Sequence, residues 1–178
     1  MSGEHSNIAQ LRVEKTSEVC RGSGYRVTDD LVLTATHVVA DSGRITVADA
    51  TSADIRTSSA RVEVGRTSEE CCVRTSSGRV EIGACGSADV TTVSGRIVVQ
   101  AANGPVRAHC VSGRVEVGLM APEDVAAETV SGRIHVTVPQ GVAVSTNDDR
   151  SLLTAWPGGA ESSITARTVS GRVDVSSK

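Results

Sequence analysis

Arginine recurs at nearly fixed distances along this chain, and any binding chemistry it has should be sought there first. Arg44, Arg61, Arg79, Arg96, Arg114, Arg133 and Arg172 are separated by 17, 18, 17, 18, 19 and 39 residues. Seven guanidinium groups in one line would suit a polyanion such as nucleic acid or an acidic polysaccharide. Glu63, Glu81, Glu116 and Asp174 stand two residues beyond their arginines, however, and on a strand that spacing puts both charges on one face. The strip is therefore expected to be mixed in sign and largely neutralised, a solvated face that discourages lateral sheet association and takes no nucleic acid. Arg61, Arg79, Arg96, Arg114 and Arg133 remain the residues through which it would meet a partner. Trp156 is a second candidate contact, being the one tryptophan and standing in the irregular stretch NDDRSLLTAWPGGAESS, residues 147 to 163. Such a Pro-Gly loop is expected to fold back over a side or an end of the molecule.

Other reactive side chains are poorly placed for chemistry. His109 and His135 lie five residues before and two after the arginines of their repeats, so they do not converge as a metal pair. The five cysteines, Cys20, Cys71, Cys72, Cys85 and Cys110, are odd in number and lack C-x-x-C spacing, which argues against a disulfide framework or a zinc site. Reduced structural thiols are expected, with no cofactor and no metal.

The elements that position these residues are repeats. DSGRITV (41–47), SSARVEV (58–64), SSGRVEI (76–82), VSGRIVV (93–99), VSGRVEV (111–117), VSGRIHV (130–136) and VSGRVDV (169–175) are variants of one phrase. Within it polar and apolar residues alternate, the pattern of a strand with one buried face, so Ile45/Val47, Val62/Val64, Val80/Ile82, Ile97/Val99, Val115/Val117, Ile134/Val136 and Val173/Val175 point inward. The Ser-Gly before each pair turns the chain, glycine supplying a positive φ; Ala60 replaces it once. A shorter strand precedes the turn, as in ADIRTS (53–58) and ADVTTV (88–93). Two strands and two turns per 17 to 19 residues fit one coil of a β-solenoid, and coils stacked at about 4.8 Å would make a rod of about eight. The double gap before Arg172 predicts one degenerate or looped-out coil between Thr137 and Arg167. Stacking turns Thr57, Thr75, Thr92, Cys110, Thr129 and Thr168 into one column that wants a small side chain.

TVSGRIVV, CVSGRVEV, TVSGRIHVTVPQGV and ITARTVSGRVDV, and with them the chain from about residue 41 onward, resemble an adhesin family of bacterial β-solenoids built from TVSG(R/D)(V/I)xV units. The resemblance implies a right-handed, single-stranded parallel β-helix and an adhesin-like binding role.

The opening stretch GSGYRVTDDLVLTATHVV, residues 22 to 39, resembles instead the segment of trypsin-like serine proteases that ends at the catalytic histidine. That resemblance implies His37 as general base. Its nucleophile would sit in a G-[DN]-S-G-G loop whose N–H groups form the oxyanion hole. No such loop follows; the later Ser-Gly pairs are repeat turns, and Gly158-Gly159 leads into Ala160 and Glu161. His37 is thus expected to be inactive and the chain not to be an enzyme. Residues 1–40 are read as an irregular β-rich segment, protease-derived or a cap, with TDD as the turn between two strands, and residues 41–178 as the solenoid domain.

Composition agrees with a narrow, regular interior. Hydrophobic residues make up 39% of the chain, yet there is no Phe, one Tyr and one Trp, so Val, Ile, Leu and Ala must fill the core. A net charge of −3 favours neither nucleic acid nor an anionic membrane, and the absence of a long apolar run or signal-like start predicts a cytoplasmic chain without membrane contact. The reading is a non-enzymatic binding or scaffold module with a protein or polymer partner, able to associate end to end; the alternative is an inactive trypsin-like remnant fused to a solenoid.

Overall fold

The computed structural model describes residues 10–14, 19–23, 25–28, 31–33, 43–146 and 151–177. Fourteen strands occur among them: β1 (Gln10–Glu14), β2 (Val19–Ser23), β3 (Tyr25–Thr28), β4 (Leu31–Leu33), β5 (Gly43–Ala50), β6 (Ala53–Thr57), β7 (Ala60–Thr67), β8 (Glu70–Cys85), β9 (Ser87–Ala102), β10 (Val106–Leu119), β11 (Val125–Val138), β12 (Ala143–Thr146), β13 (Ser151–Ala155) and β14 (Glu161–Ser177). No helix occurs among the described residues. The architecture is an all-β solenoid of stacked parallel strands.

Each repeat phrase folds as the alternation requires. From β8 onward the strands run through the Ser-Gly corner, so one long strand supplies both walls of a coil. The parallel ladder runs β5-β7-β8-β9-β10-β11-β14, and its register is strict: Arg44 lies beside Arg61, Arg79 beside Arg96, Arg96 beside Arg114, Arg114 beside Arg133 and Arg133 beside Arg172. A one-residue slip would turn every inward valine to water, and that penalty fixes the register. The inward pairs are buried from Ile45 through Val136, while Val173 and Val175 in the last coil are only half-buried.

Complementary sizes keep the cross-section constant. On the wall before the corner, Cys71 with Val73 and Ala88 with Val90 give way to Val106 with Ala108, Val125 with Ala127 and Ile164 with Ala166. The large member moves from one inward position to the other and the interior stays filled.

Glycine is required at the corner from Gly78 to Gly113, where φ is positive. Gly95 and Gly113 have φ of 145° and 150°, and a Cβ on either would lie within 2 Å of the preceding coil's glycine carbonyl oxygen (1.9 and 1.8 Å). Ala60 stands near the start of this column, buried and beside Gly43.

The ends depart from the repeat. At one end β1 pairs antiparallel with both β2 and β5, covering the first rung of the ladder. β3 and β4 pair antiparallel as a separate two-stranded sheet; Asp29 and Asp30 of the expected TDD turn lie outside the described residues. At the other end the span between Thr137 and Arg167 takes the looped-out form, with no extra coil among the described residues. β11 stacks directly on β14, and the intervening residues are looped out as an antiparallel pair, β12 and β13, laid against Glu161–Thr165 of β14. The reason is local: Trp156-Pro157-Gly158-Gly159 makes a tight turn with φ of 101° and 83° at the two glycines, and no Ser-Gly-Arg corner is available to start a coil. The stack is therefore shorter than the eight coils expected from spacing, with seven arginine rungs.

Candidate interaction surface

The arginine wall is a charge zipper. Glu63 Oε1 lies 3.7 Å from Arg44 Nε and 2.8 Å from Arg61 Nε, so one carboxylate serves its own coil and the preceding one. Glu81 repeats the arrangement with Arg61 (3.3 Å) and Arg79, and Glu116 with Arg96 (2.9 Å) and Arg114 (3.4 Å). Arg172 pairs with Asp174 at 2.7 Å. Val98 and His135 take the acidic position in their coils, and no ion pair engages Arg133 among the described residues. The neutralised strip inferred from the sequence is thus present over most of the wall, and each half-exposed pair contributes at most about 1 kcal/mol.

A second column, at the corner, is more distinctive. Val93, Val111, Val130 and Val169 stand in successive coils, flanked by in-register pairs of residues on both sides, and are 53, 38, 45 and 83% exposed. Stacked at about 4.8 Å, they form an apolar ridge along the corner. In the two preceding coils Ser58 and Ser76 hold the same position and are exposed. Nothing in the sequence reading singled out these valines, although alternation carried through ADVTTV from buried Val90 and Thr92 puts Val93 outside.

Beneath the corner the threonine column is confirmed: Thr57, Thr75, Thr92, Cys110, Thr129 and Thr168 lie in register. Thr75 Oγ1 donates to Ser77 O at 2.9 Å and Thr92 Oγ1 to Ser94 O at 3.2 Å, so the hydroxyl ties the corner to its own serine. Cys110 fits because it is equally small.

The side chain of Cys20 lies outside the described residues, and the other four thiols are held protonated by their surroundings. Burial, with lesser repulsion from Cys85, Cys72 and Glu70, pushes Cys71 from 9.0 up to about 12; burial alone pushes Cys85 to about 11. Cys72 is raised to about 11 by desolvation and by Glu70, and Cys110 is raised by burial. All four are free cysteines, protonated near neutral pH.

Trp156 packs against the core, and its indole Nε1–H donates to Thr154 Oγ1 (3.1 Å) and Ser162 Oγ (3.0 Å). It clamps the β13–β14 hairpin. The histidines are apart: His109 Nδ1 lies 3.6 Å from Glu128 on the wall before the corner, and His135 Nε2 lies 3.2 Å from Ser176 Oγ on the wall after it. His37 lies outside the described residues.

Comparison with known proteins adds one finding. A family model described as Toastrack DUF4097 matches residues 4–176, a span that includes the protease-like stretch at 22–39. No curated protein and no solved structure matches the chain.

Proposed function

The chain belongs to the Toastrack DUF4097 family, and from its β-solenoid we propose a non-enzymatic binding or scaffold module. A rigid rod presents residue columns in register to a protein or polymer partner, in the manner of an adhesin. The observation that carries this reading is the valine ridge at Val93, Val111, Val130 and Val169. Exposed apolar side chains arranged in one continuous line mark contact surfaces more often than scattered ones do. The neutralised arginine wall supports it by leaving the ridge as the feature that distinguishes one side of the rod from the others. The reading that the chain is no enzyme rests on the sequence, which offers His37 no serine in an oxyanion-hole loop.

A fluorophosphonate probe for activated serines separates this module from a protease relative. No labelling above a heat-denatured control is expected; labelling of a single serine, abolished by His37→Ala, would overturn the proposal. End-to-end association has its own observation. Among the described residues nothing pairs with Ser170–Ser177 on the side away from β11, which leaves strand edge available. Light scattering across a concentration series reads that directly.

A further inference from the structure

The wall before the corner carries a pair of arginines treated unlike those of the zipper. The tetrapeptide Arg-Thr-Ser-Ser occurs twice, at 56–59 and 74–77, and the fold stacks the two copies, Arg56 beside Arg74 and Thr57 beside Thr75. Thr91, His109, Glu128 and Arg167 continue the arginine position, and valine replaces serine in those coils, so adjacent arginines beside adjacent serines occur once along the stack.

Two guanidinium groups on neighbouring strands repel unless an anion lies between them. Arg56 has Asp54 at 3.4 Å, whereas no ion pair engages Arg74 among the described residues. The contrast is with the zipper, where Glu63, Glu81 and Glu116 each bridge two arginine rungs. Arg133, also outside any ion pair there, has neighbours Arg114 and Arg172 engaged by Glu116 and Asp174.

Arg56, Thr57, Ser58, Arg74, Thr75, Ser76 and Thr91 line one groove of about 420 Å³. Its chemistry is donor-rich. Both arginines and both serines are exposed, and Thr57 Oγ1 is buried with no hydrogen-bond partner. Thr75 Oγ1 is already used, donating to Ser77 O and to Ser58 O. No carboxylate lines the groove; the nearest on this wall, Asp54 and Asp89, lie one alternation back, beside Cys72.

We propose that this groove is an oxyanion site for the phosphate or sulfate group of an ester. Arg74 and Arg56 clamp the charged oxygens through their planar forks, and the exposed hydroxyls of Ser58 and Ser76 donate to the remaining lone pairs. The site does not depend on the valine ridge and survives if the ridge has no partner.

The test is a ¹H–¹⁵N titration of the full chain with phenyl phosphate and, separately, phenyl sulfate at constant ionic strength. Saturable shifts are expected at residues 56–58 and 74–76 with either probe, the tighter ligand identifying the ester. Arg74→Gln should weaken binding about tenfold or more, the effect of removing a charge-assisted pair. Ser58→Val with Ser76→Val, which copies the corner of the later coils, should weaken it while leaving the thermal melt unchanged. Arg133→Gln, on the other wall, should leave affinity within about twofold. Unsaturable shifts, or equal weakening by Arg74→Gln and Arg133→Gln, would overturn the site in favour of diffuse charge attraction.

Discussion

One corner of the rod has two halves that share a backbone and differ in chemistry. In the first, Ser58 and Ser76 follow Arg56-Thr57 and Arg74-Thr75; in the second, Val93, Val111, Val130 and Val169 hold the serines' place. The residue just inside hardly changes, staying Thr or Cys throughout, because the next coil stacks directly on it. A solenoid thus separates its two tasks by alternation. Inward and glycine positions are fixed by neighbouring coils, whereas outward positions can be rewritten coil by coil, giving a polar, cationic half and an apolar half on one edge.

What the halves share is the first place to break the comparison. Gly113→Ala puts a Cβ 1.8 Å from Gly95 O on a backbone with φ of 150°. A loss of about 3 kcal/mol or more is expected, read as a large fall in the urea midpoint. Ser112→Ala, one residue earlier, should cost far less. An equal loss from both would mean that the corner is not closed by coil-on-coil contact.

A smaller effect follows from the thiols of the coil carrying Arg74. The folded state holds protons on Cys71 and Cys85 that the unfolded chain gives up above its ordinary value of 9.0. Their contribution is fully present below about pH 9 and is lost as pH rises through that value toward about 11 to 12. The urea midpoint should therefore fall between about pH 8 and about pH 10.5, and Cys71→Ala, whose neighbour in the column is Ala88, should flatten the fall. A slope unchanged by that substitution would place the titrating groups elsewhere.

The smallest effect on stability is expected where the halves differ. Ser76→Val and Val111→Ser exchange their chemistry at exposed sites, and each should change stability by no more than about 0.5 kcal/mol. A cost of several times that in either direction would show that the corner residue is part of the packing.

Much of this molecule could be read from its residues. Arginine spacing gave the register of the ladder, alternation gave the buried pairs, and column logic placed Cys110 among the threonines. Glu63, Glu81, Glu116 and Asp174 predicted the zipper, because a two-residue offset on a strand keeps charges together. Two features escaped for physical reasons. The span between Thr137 and Arg167 could be read as a degenerate or a looped-out coil, and length alone does not distinguish the first from the antiparallel strands observed, where the Pro-Gly-Gly turn closes the β13–β14 hairpin. The valine ridge escaped because valine before a turn suggests a buried strand end, and only alternation counted through Val90 and Thr92 turns Val93 outward. The groove needs two coils in register, which a single repeat does not reveal, although the doubled Arg-Thr-Ser-Ser was visible.

Both proposed surfaces depend on in-register corner columns, so register is the central claim and disulfide trapping measures it most directly. Neighbouring coils place Val111 and Val130 one strand spacing apart, about 4.8 Å, within the span a disulfide bridges, whereas Val93 and Val130 are two spacings apart, beyond its limit of about 7 Å. Mild oxidation of the Val111→Cys, Val130→Cys chain should give one intramolecular bond between those positions by mass spectrometry. The Val93→Cys, Val130→Cys chain should give none. Efficient closure of the second pair, or failure of the first in a folded protein, would contradict the stack and both surfaces built on it.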